Sequence, residues 1–417
     1  MRNRRIILTS ILLILFNICV CVAGGKSPKP VLLVYGGSVE AYMAAAQAAI
    51  SGVPTVWVDN SSTWRKSLST ASESVQSDLM LDGGAWKYIL RKTSVYEGIE
   101  ALRRDSTFKR DLMRLSSMQP AKKELLTVIH QQDIEKVSES SKSWEIKLTN
   151  KQSFQVKYVL DASKESKLCR MANVKADDNV KVLRSTVLSL PQSRALIFVG
   201  EDQGEIEVAY LHEVVPAENN LFVLKAKEGY NLPYRVALGQ TVGAVVSYCA
   251  FFKTSTDKID LRVLQNELLM YRSRLLPCVD ISVEDKHYSS LQRIFLTGIL
   301  PLNQKEGKLY FNGQDSVKLA DVKEELKRLF SRTQLWFVDH NPEYLTLKST
   351  ISLLKFAAFR GDELDKEIEQ KWKKEFGFEQ DYNPERLISK YEFAVLWDKY
   401  ASPFWVKRSQ NGDAIIR

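Results

Sequence analysis

The residues best suited to chemistry lie near the start of the chain, where two glycines and an acid flank an alanine-rich segment. Gly36 and Gly37 are followed by Ser38 and Ala41, and Asp59 lies 23 residues after Gly36. A glycine turn at a helix start can approach a pyrophosphate closely, and an acid at this spacing can hydrogen-bond a ribose hydroxyl. Ser38 stands where G-x-G-x-x-G/A has its second glycine, and Ala41 satisfies the last position.

The segments around these residues have the layout of a strand, a helix and a second strand. The apolar run 30–36 enters the glycine turn, the alanine-rich segment ends at Gly52, and the apolar run 53–59 ends in Asp59. Continuous apolar runs of this length are typical of buried parallel strands. The layout predicts a Rossmann-type unit that binds a dinucleotide. The alternative is a unit that has kept its fold and lost its cofactor, because Ser38 crowds the approach of the phosphates.

An alternating stretch from Leu125 to Ser163 predicts a β-meander with polar turns at 139–142 and 150–151. It ends in Asp161, Ala162 and Ser163. Here the chain resembles the FAD-dependent oxidoreductases of the glutathione-reductase-like class, in which a meander precedes a strand ending in V-I-D-A-T-G. The resemblance implies that Asp161 and Ser163 lie beside the ribityl and pyrophosphate part of a flavin. Lys164 replaces the glycine of that motif.

A further segment resembles the same class. Gly239, Gln240, Thr241 and Gly243 match a G-Q-x-x-G helix start, which follows a strand beginning at Asn220. The resemblance implies that the N-terminus of this helix points at the flavin, whose electron-rich edge suits exposed N–H groups. The alternative is a core helix in which the two glycines only permit tight packing.

Other candidates are less specific. His130 and His212 each stand alone on a predicted strand and are interpreted as structural. Arg235 either binds a substrate carboxylate or forms a structural salt bridge. The turn 82–86 either borders a flavin pocket or is a plain connection. Four unclustered histidines and the absence of a C-x-x-C pair give no metal-site pattern.

The second half of the chain changes to helical periodicity. Residues 276–405 resemble two S-layer-homology repeats, the first from Val279 and the second from Phe337, closing with the run from Ile388 to Leu396. Each repeat is a helix pair that must stack on a neighbour to bury its apolar face. The resemblance implies binding of cell-envelope glycan; packing against the first domain is the alternative. Residues 406–417 form a tail.

The N-terminus has the three parts of a secretory signal peptide: a basic start, an apolar run from Ile6 to Val20 and a small residue at Ala23. Cleavage after residue 23 lowers the net charge from +9 to +6 by removing Arg2, Arg4 and Arg5. We expect an exported protein in the periplasm, at the cell surface or secreted, with no stable membrane span after cleavage. The sequence has no basic segment with interleaved aromatic residues, so it gives no indication of nucleic-acid binding.

These patterns predict an α/β fold: a Rossmann-type FAD/NAD(P)-binding domain over 30–275 with a strand-rich insertion at 180–230, then the all-α repeats. The order of the two domains and their motifs together resemble those of a bacterial group of exported FAD-dependent oxidoreductases, some labelled xanthan lyase. The first hypothesis is a flavoprotein acting on a small-molecule or carbohydrate substrate, with unknown catalytic residues. The second is a non-catalytic envelope protein whose repeats bind glycan or another envelope protein. A polysaccharide lyase ranks third, because no acid/base set is recognisable.

Overall fold

The computed structural model describes residues 28–61, 63–64, 83–85, 125–140, 142–176, 183–184, 190–214, 216–225, 227 and 229–413. The predicted signal peptide lies outside these residues, as do Asp82 and Trp86 of the predicted turn.

A five-stranded parallel sheet forms the centre of the first domain. Its strands, in spatial order, are β11 (Leu221–Val223), β7 (Tyr158–Asp161), β1 (Leu32–Tyr35), β2 (Thr55–Asp59) and β3 (Leu126–His130). Side chains of β1, β2 and β7 are buried on both faces, which explains why these strands are continuous apolar runs. The predicted Rossmann-type α/β fold is confirmed.

Two layers cover the parallel sheet. On one face lie α1 (Val39–Ile50) and the long helix α4 (Leu232–Phe252), which pack against each other in the larger apolar core. On the other face the antiparallel meander of β4 (Ile134–Ser140), β5 (Ser143–Leu148) and β6 (Ser153–Val156) encloses a smaller core with Leu33 and Val159. The predicted meander and its two turns are therefore present.

Further elements complete the described part of the first domain. They are α2 (Lys167–Met171), β8 (Leu183–Arg184), α3 (Leu190–Ala195), β9 (Leu196–Asp202), β10 (Glu205–Tyr210) and α5 (Leu261–Met270). The strands β8, β10 and β9 form an antiparallel sheet in the predicted strand-rich insertion. Among the described residues α4 is long and apolar enough to cross a membrane, but 78% of its most apolar window is buried inside the protein, as in a core helix.

The second domain contains three helix pairs, where the sequence predicted two repeats. The pairs are α6 (Tyr288–Phe295) with α7 (Leu319–Leu329), α8 (Thr333–Asp339) with α9 (Leu347–Ala358), and α10 (Glu363–Lys371) with α11 (Lys390–Tyr400). A hairpin of β12 (Asn303–Lys305) and β13 (Lys308–Tyr310) interrupts the first pair. The stretch predicted as the second repeat is divided between the second and third pairs.

A closed ring of backbone hydrogen bonds joins the three pairs. Val317 donates its N–H to the Ile388 carbonyl at 3.1 Å, Ile388 donates to Leu345 at 3.0 Å, and Leu345 donates back to Val317 at 2.9 Å. Each of these buried residues stands two positions before the second helix of its pair. The pairs are therefore related by an approximate threefold arrangement, and none of them completes the ring alone.

The predicted tail is part of the junction between the domains up to residue 413. The buried Arg408 donates to Glu325 on α7 at 2.9 Å and to the Thr297 carbonyl at 3.3 Å. Arg194 on α3 contacts the same carboxylate and the same carbonyl. Gln410 donates to the Thr256 carbonyl of the first domain, so the segment contacts both domains and is not a free tail.

Candidate functional site

The predicted phosphate and ribose residues meet at the carboxyl edge of the parallel sheet. Tyr35, the last residue of β1, pairs in register with Val58 on one side and with Asp161 on the other. Gly36 follows β1 directly, and Asp59 ends β2. Open α/β sheets bind ligands at this edge, so the site residues predicted from the sequence lie in the expected region.

Gly36 and Gly37 pack closely against other parts of the chain, at the positions where another residue would carry its Cβ. Gly36 has φ +144°, and a Cβ there would lie 2.3 Å from the Ala162 carbonyl oxygen. A Cβ at Gly37 would lie 2.3 Å from the Cβ of Ser61 and 2.9 Å from Oδ1 of Asp59. Neither position has room for a Cβ, because other parts of the chain pack against both glycines. Ser61 packs against Gly37.

The hydrogen-bonding and charged groups at the start of α1 are bound by other groups of the protein. Ser38 caps the helix, since its Oγ accepts the Ala41 N–H at 3.1 Å. Glu40 in the first turn is fully buried and binds the guanidinium of Arg235 through Nε at 2.9 Å and Nη2 at 3.1 Å. Arg235 therefore forms the structural salt bridge that the sequence left as one of two options. Glu40 also accepts the Lys227 N–H at 2.9 Å.

Asp59, the predicted ribose ligand, is 1% exposed. Its two oxygens accept the indole N–H of Trp64 at 3.2 and 3.3 Å, and Oδ1 also accepts the Ser61 N–H at 3.3 Å. His130 Nδ1 lies 3.5 Å from Oδ2. Trp64 packs on Tyr42, with 6.1 Å between ring centroids, so an aromatic side chain covers the carboxylate.

Asp161 and Ser163 form a second closed set at the end of β7. Asp161 accepts the Ser163 N–H at 3.1 Å, the Ser163 hydroxyl at 2.6 Å and the Cys169 N–H at 2.9 Å. Burial raises the pKa of Asp161, and the hydrogen bonds from Ser163 and Cys169 oppose that rise. The Ser163 oxygen also accepts the Lys167 N–H at 2.8 Å. Both side chains stabilise the turn into α2.

The prediction of a helix start at Gly239 is wrong. The helix α4 begins at Leu232, where the Asn231 side chain caps it by accepting the Tyr234 N–H at 2.9 Å. Gly239 lies two turns further on, and a Cβ there would be 2.5 Å from the Glu40 carbonyl oxygen. A Cβ at Gly243 would be 2.6 Å from the Ala44 carbonyl oxygen. The glycines let α4 lie directly on α1, which was the alternative interpretation.

Gln240 and Thr241 also make internal contacts. Gln240 accepts the Ala85 N–H at 3.0 Å and donates to the Gln47 side chain at 3.0 Å. The Thr241 hydroxyl donates to the Ile197 carbonyl at 3.3 Å. These residues connect α4 to its neighbours on three sides.

A cavity lies on the side of α4 that faces β9. Gly83 and Gly84 of the predicted turn lie on its wall. Tyr234, Ser273 and Arg274 also line it. Sequence reasoning missed these three residues, because no motif connects them and only the fold brings them together. His212, by contrast, is largely exposed and stacks on Tyr210.

Comparisons with known proteins identify no family for this chain. No protein-family model matches the chain, and no curated protein matches it. Solved structures similar to it include the tetracycline destructase Tet(51) (12% identity, TM-score 0.24, 38% of this chain), the bacillithiol disulfide reductase from Staphylococcus aureus (13%, 0.21, 32%) and the p-nitrophenol 4-monooxygenase from Pseudomonas putida DLL-E4 (10%, 0.29, 58%). The matches span 45%, 38% and 84% of those chains, so the first two cover less than half of their proteins.

The described residues define a Rossmann-type α/β fold in which the carboxyl edge of the sheet does not fit FAD. The adenosine ribose needs an available acid, but Asp59 is bound by Trp64 and Ser61. The pyrophosphate needs open backbone at the glycine turn, but Ser61 lies against Gly37. Among the described residues, no cluster of three or more His, Cys, Asp or Glu side chains could hold a metal ion.

Proposed function

We propose that this chain is an exported, non-redox binding protein in which a flavoprotein-like fold serves as a scaffold. One observation carries the proposal: the acid that would hold the adenosine ribose, Asp59, is buried and accepts hydrogen bonds from Trp64 and Ser61. Freeing Asp59 would leave a buried indole N–H without its acceptor, at a cost of about 1–3 kcal/mol.

The charge at the helix start supports the same proposal. A phosphate bound at a helix N-terminus is stabilised by the exposed N–H groups and the helix dipole. In α1 the carboxylate of Glu40 already lies in the first turn, and Arg235 neutralises it. Because Arg235 is bound to Glu40, its guanidinium is not available to bind a pyrophosphate at this helix start.

An FAD-dependent oxidoreductase is the second candidate. It is favoured by the positions of Gly36 and Gly37, which lie between β1 and α1 at the carboxyl edge of the parallel sheet. These are the backbone positions that a dinucleotide site uses. The substrate would be a small molecule or a carbohydrate.

Export and an envelope partner complete the proposal. Residues 1–23 supply the signal, and the three helix pairs supply a rigid surface. In the closing run that resembles a glycan-binding segment, Lys390 and Glu392 are buried, and Arg386 binds Glu392 through two N–H groups at 2.6 and 2.9 Å. Because these side chains are used internally, we place an envelope protein ahead of an S-layer-type glycan as the partner of this domain.

Titration calorimetry with FAD and with ADP tests the scaffold role on the purified full-length chain. We expect no saturable binding of either ligand up to millimolar concentration. Binding in the micromolar range would overturn the proposal if Asp59→Asn abolished it. The matched control is Asp280→Asn, which alters an acid that accepts two backbone N–H groups in the second domain, far from the sheet edge.

A pull-down from envelope extracts tests the partner. We expect a protein to be enriched by the full-length chain and expect purified envelope polysaccharide not to retain it. Retention by the polysaccharide alone would contradict the choice of a protein partner and favour the glycan.

A further inference from the structure

We infer that the outward face of α8 binds the same face of a second copy of this chain, with the two helices antiparallel, so that Arg332 of each copy meets Asp339 of the other. The inference goes beyond the proposed function, because it concerns a surface of the second domain and holds whether or not the first domain binds a cofactor. It rests on the exposure of α8 and on the arrangement of its charges.

The outward face of α8 is apolar at its centre. Leu335 and Val338 are 60% and 81% exposed, whereas Trp336 and Phe337 on the inward side are buried. Residues three apart are neighbours on a helix, so Leu335 and Val338 form one continuous apolar surface. Covering such a surface with a partner removes apolar area from water, which is favourable.

The corresponding helices of the other two pairs have a polar outward face. In α6 the exposed residue is Ser289. The exposed residues of α10 are charged or polar: Glu363, Lys366, Glu369 and Gln370. Because the three pairs share one architecture, the fold does not require apolar residues on the outward face of α8. Their presence there needs a separate reason.

Two charged residues flank the apolar centre. Arg332 and Asp339 stand at the two ends of α8, about two turns apart, and therefore lie on the same side of the helix. Both are exposed, and neither forms an ion pair with another described residue. A cation at the N-terminal end of a helix and an acid at its C-terminal end each oppose the helix dipole, by about 0.3–1 kcal/mol. In an isolated chain these two charges therefore destabilise α8.

Phe359 positions the guanidinium of Arg332. The guanidinium lies 4.1 Å from the centroid of the Phe359 ring, which makes a cation–π contact. Phe359 is 60% exposed and has φ +56°, a left-handed conformation at the end of α9 where glycine is usual. The ring holds the arginine beside the apolar face, so that less side-chain entropy is lost when an anion binds it.

A twofold axis places these charges opposite each other. When α8 packs antiparallel on a second α8, the axis passes close to the middle of the helix, at Leu335. Leu335 of one copy then contacts Leu335 of the other, and Arg332 of each copy lies opposite Asp339 of the other. Each arginine also comes to the C-terminal end of a helix, where the dipole favours a cation. The face is therefore complementary to itself in charge as well as in apolar character.

The contact is small, so the dimer should depend on concentration. The helix α8 has seven residues, whereas a stable protein–protein interface buries about 800 Å² on each partner. We therefore expect an equilibrium between monomer and dimer and not a permanent dimer.

Sedimentation equilibrium of the full-length chain, from micromolar to millimolar concentration, tests the inference. We expect dimers to form, and we expect Leu335→Glu to weaken them about tenfold or more, because it places two carboxylates at the twofold axis. The matched control is Met270→Glu, which alters an apolar side chain that is 53% exposed on α5 and should leave the dimer unchanged. A chain that stays monomeric throughout, or a dimer that Leu335→Glu leaves intact, would overturn the inference.

Reversing the charges tests the antiparallel arrangement. Arg332→Asp and Asp339→Arg should each weaken the dimer about tenfold or more, since both ion pairs become contacts between like charges. Both substitutions suit the helix dipole, so unfolding of α8 does not account for a lost dimer. An equimolar mixture of the two variants should associate as well as the unaltered chain, because opposite charges again meet at both contacts. A mixture that stays monomeric would refute the arrangement.

An anionic membrane and a different protein are the other possible occupants of this face. Binding to phosphatidylglycerol vesicles, or enrichment of an envelope protein, would overturn the inference if Leu335→Glu abolished it while the unaltered chain remained monomeric. The two proposals fail separately, because FAD binding would refute the scaffold role and leave the sedimentation result unaffected.

Discussion

Replacing Gly239 by alanine separates a packing role from a cofactor role. In the structure this glycine lies under the backbone of α1, and a Cβ would be 2.5 Å from the Glu40 carbonyl oxygen, 2.9 Å from its Cα and 2.9 Å from the Met43 Cβ. Two of these neighbours are backbone atoms, so rotating a side chain does not relieve the contact. The helices α1 and α4 must therefore move apart.

The expected net effect is a loss of about 1–3 kcal/mol in the free energy of unfolding. Overpacking a well-packed core costs about 1–3 kcal/mol and occasionally more. Alanine in a helix interior returns up to about 1 kcal/mol relative to glycine. We place the cost in the upper part of its usual range, because the contact at 2.5 Å is with backbone and separation also strains the buried Glu40–Arg235 pair. Gly243→Ala should behave similarly.

Urea denaturation followed by circular dichroism measures this loss. The control is Gly313→Ala, where the new Cβ would meet the Tyr391 Cβ at 3.4 Å, an ordinary contact, and the change should stay within about 0.5 kcal/mol. The double variant at Gly239 and Gly243 should lose less than the sum of the two, since one separation of the helices relieves both contacts. An alanine at Gly239 that leaves the stability unchanged would refute the packing argument.

Three further predictions test other parts of the account. Arg408→Ala should lower the free energy of unfolding by about 1–3 kcal/mol in the same denaturation assay, because the buried Glu325 loses one charged donor and keeps Arg194; an unchanged free energy would contradict a stabilising role of this contact. Ser389→Ala should lower the free energy of unfolding by about 1 kcal/mol, because a helix cap is lost. Lys318 stands at the equivalent position of α7 without a side-chain cap, so Lys318→Ala should change the free energy of unfolding little. Equal effects of the two substitutions would contradict the capping role of Ser389. Burial acts to raise the pKa of Asp133, but hydrogen bonds from Lys167 and Tyr35 outweigh it and hold that pKa below its usual value of 3.8. Asp133→Asn should therefore lower the free energy of unfolding by up to about 1 kcal/mol at neutral pH, and this difference should disappear as the pH falls through the lowered pKa. A difference that stays constant across acidic pH would refute this prediction.

The first domain was predictable because its signals are local. Each parallel strand is an apolar run, and the glycine turn and the alanine-rich helix follow one another within a short stretch. The true start of α4 was also visible, since Asn231 and Pro233 form a typical helix cap and first turn. The resemblance of Gly239–Gly243 to a helix-start motif outweighed that signal and gave the wrong boundary.

The closure of the site and the ring of helix pairs were not predictable from the sequence. Asp59 has the expected spacing, but only the fold brings Trp64 over its carboxylate. The ring depends on bonds such as that from Val317 to Ile388, which are 71 residues apart and lie in segments too short to be recognised as strands. The local warnings were Ser38, in place of the second glycine of the turn, and Lys164, in place of the glycine after Ser163.

The visible absorbance of the full-length protein tests the central claim most directly. The chain is purified, incubated with excess FAD and desalted, and its spectrum is then compared with that of the supernatant after denaturation. We predict a colourless protein and a supernatant without flavin. Retention of one FAD per chain, with the absorbance of oxidised flavin, would contradict the account and establish the oxidoreductase as the better interpretation.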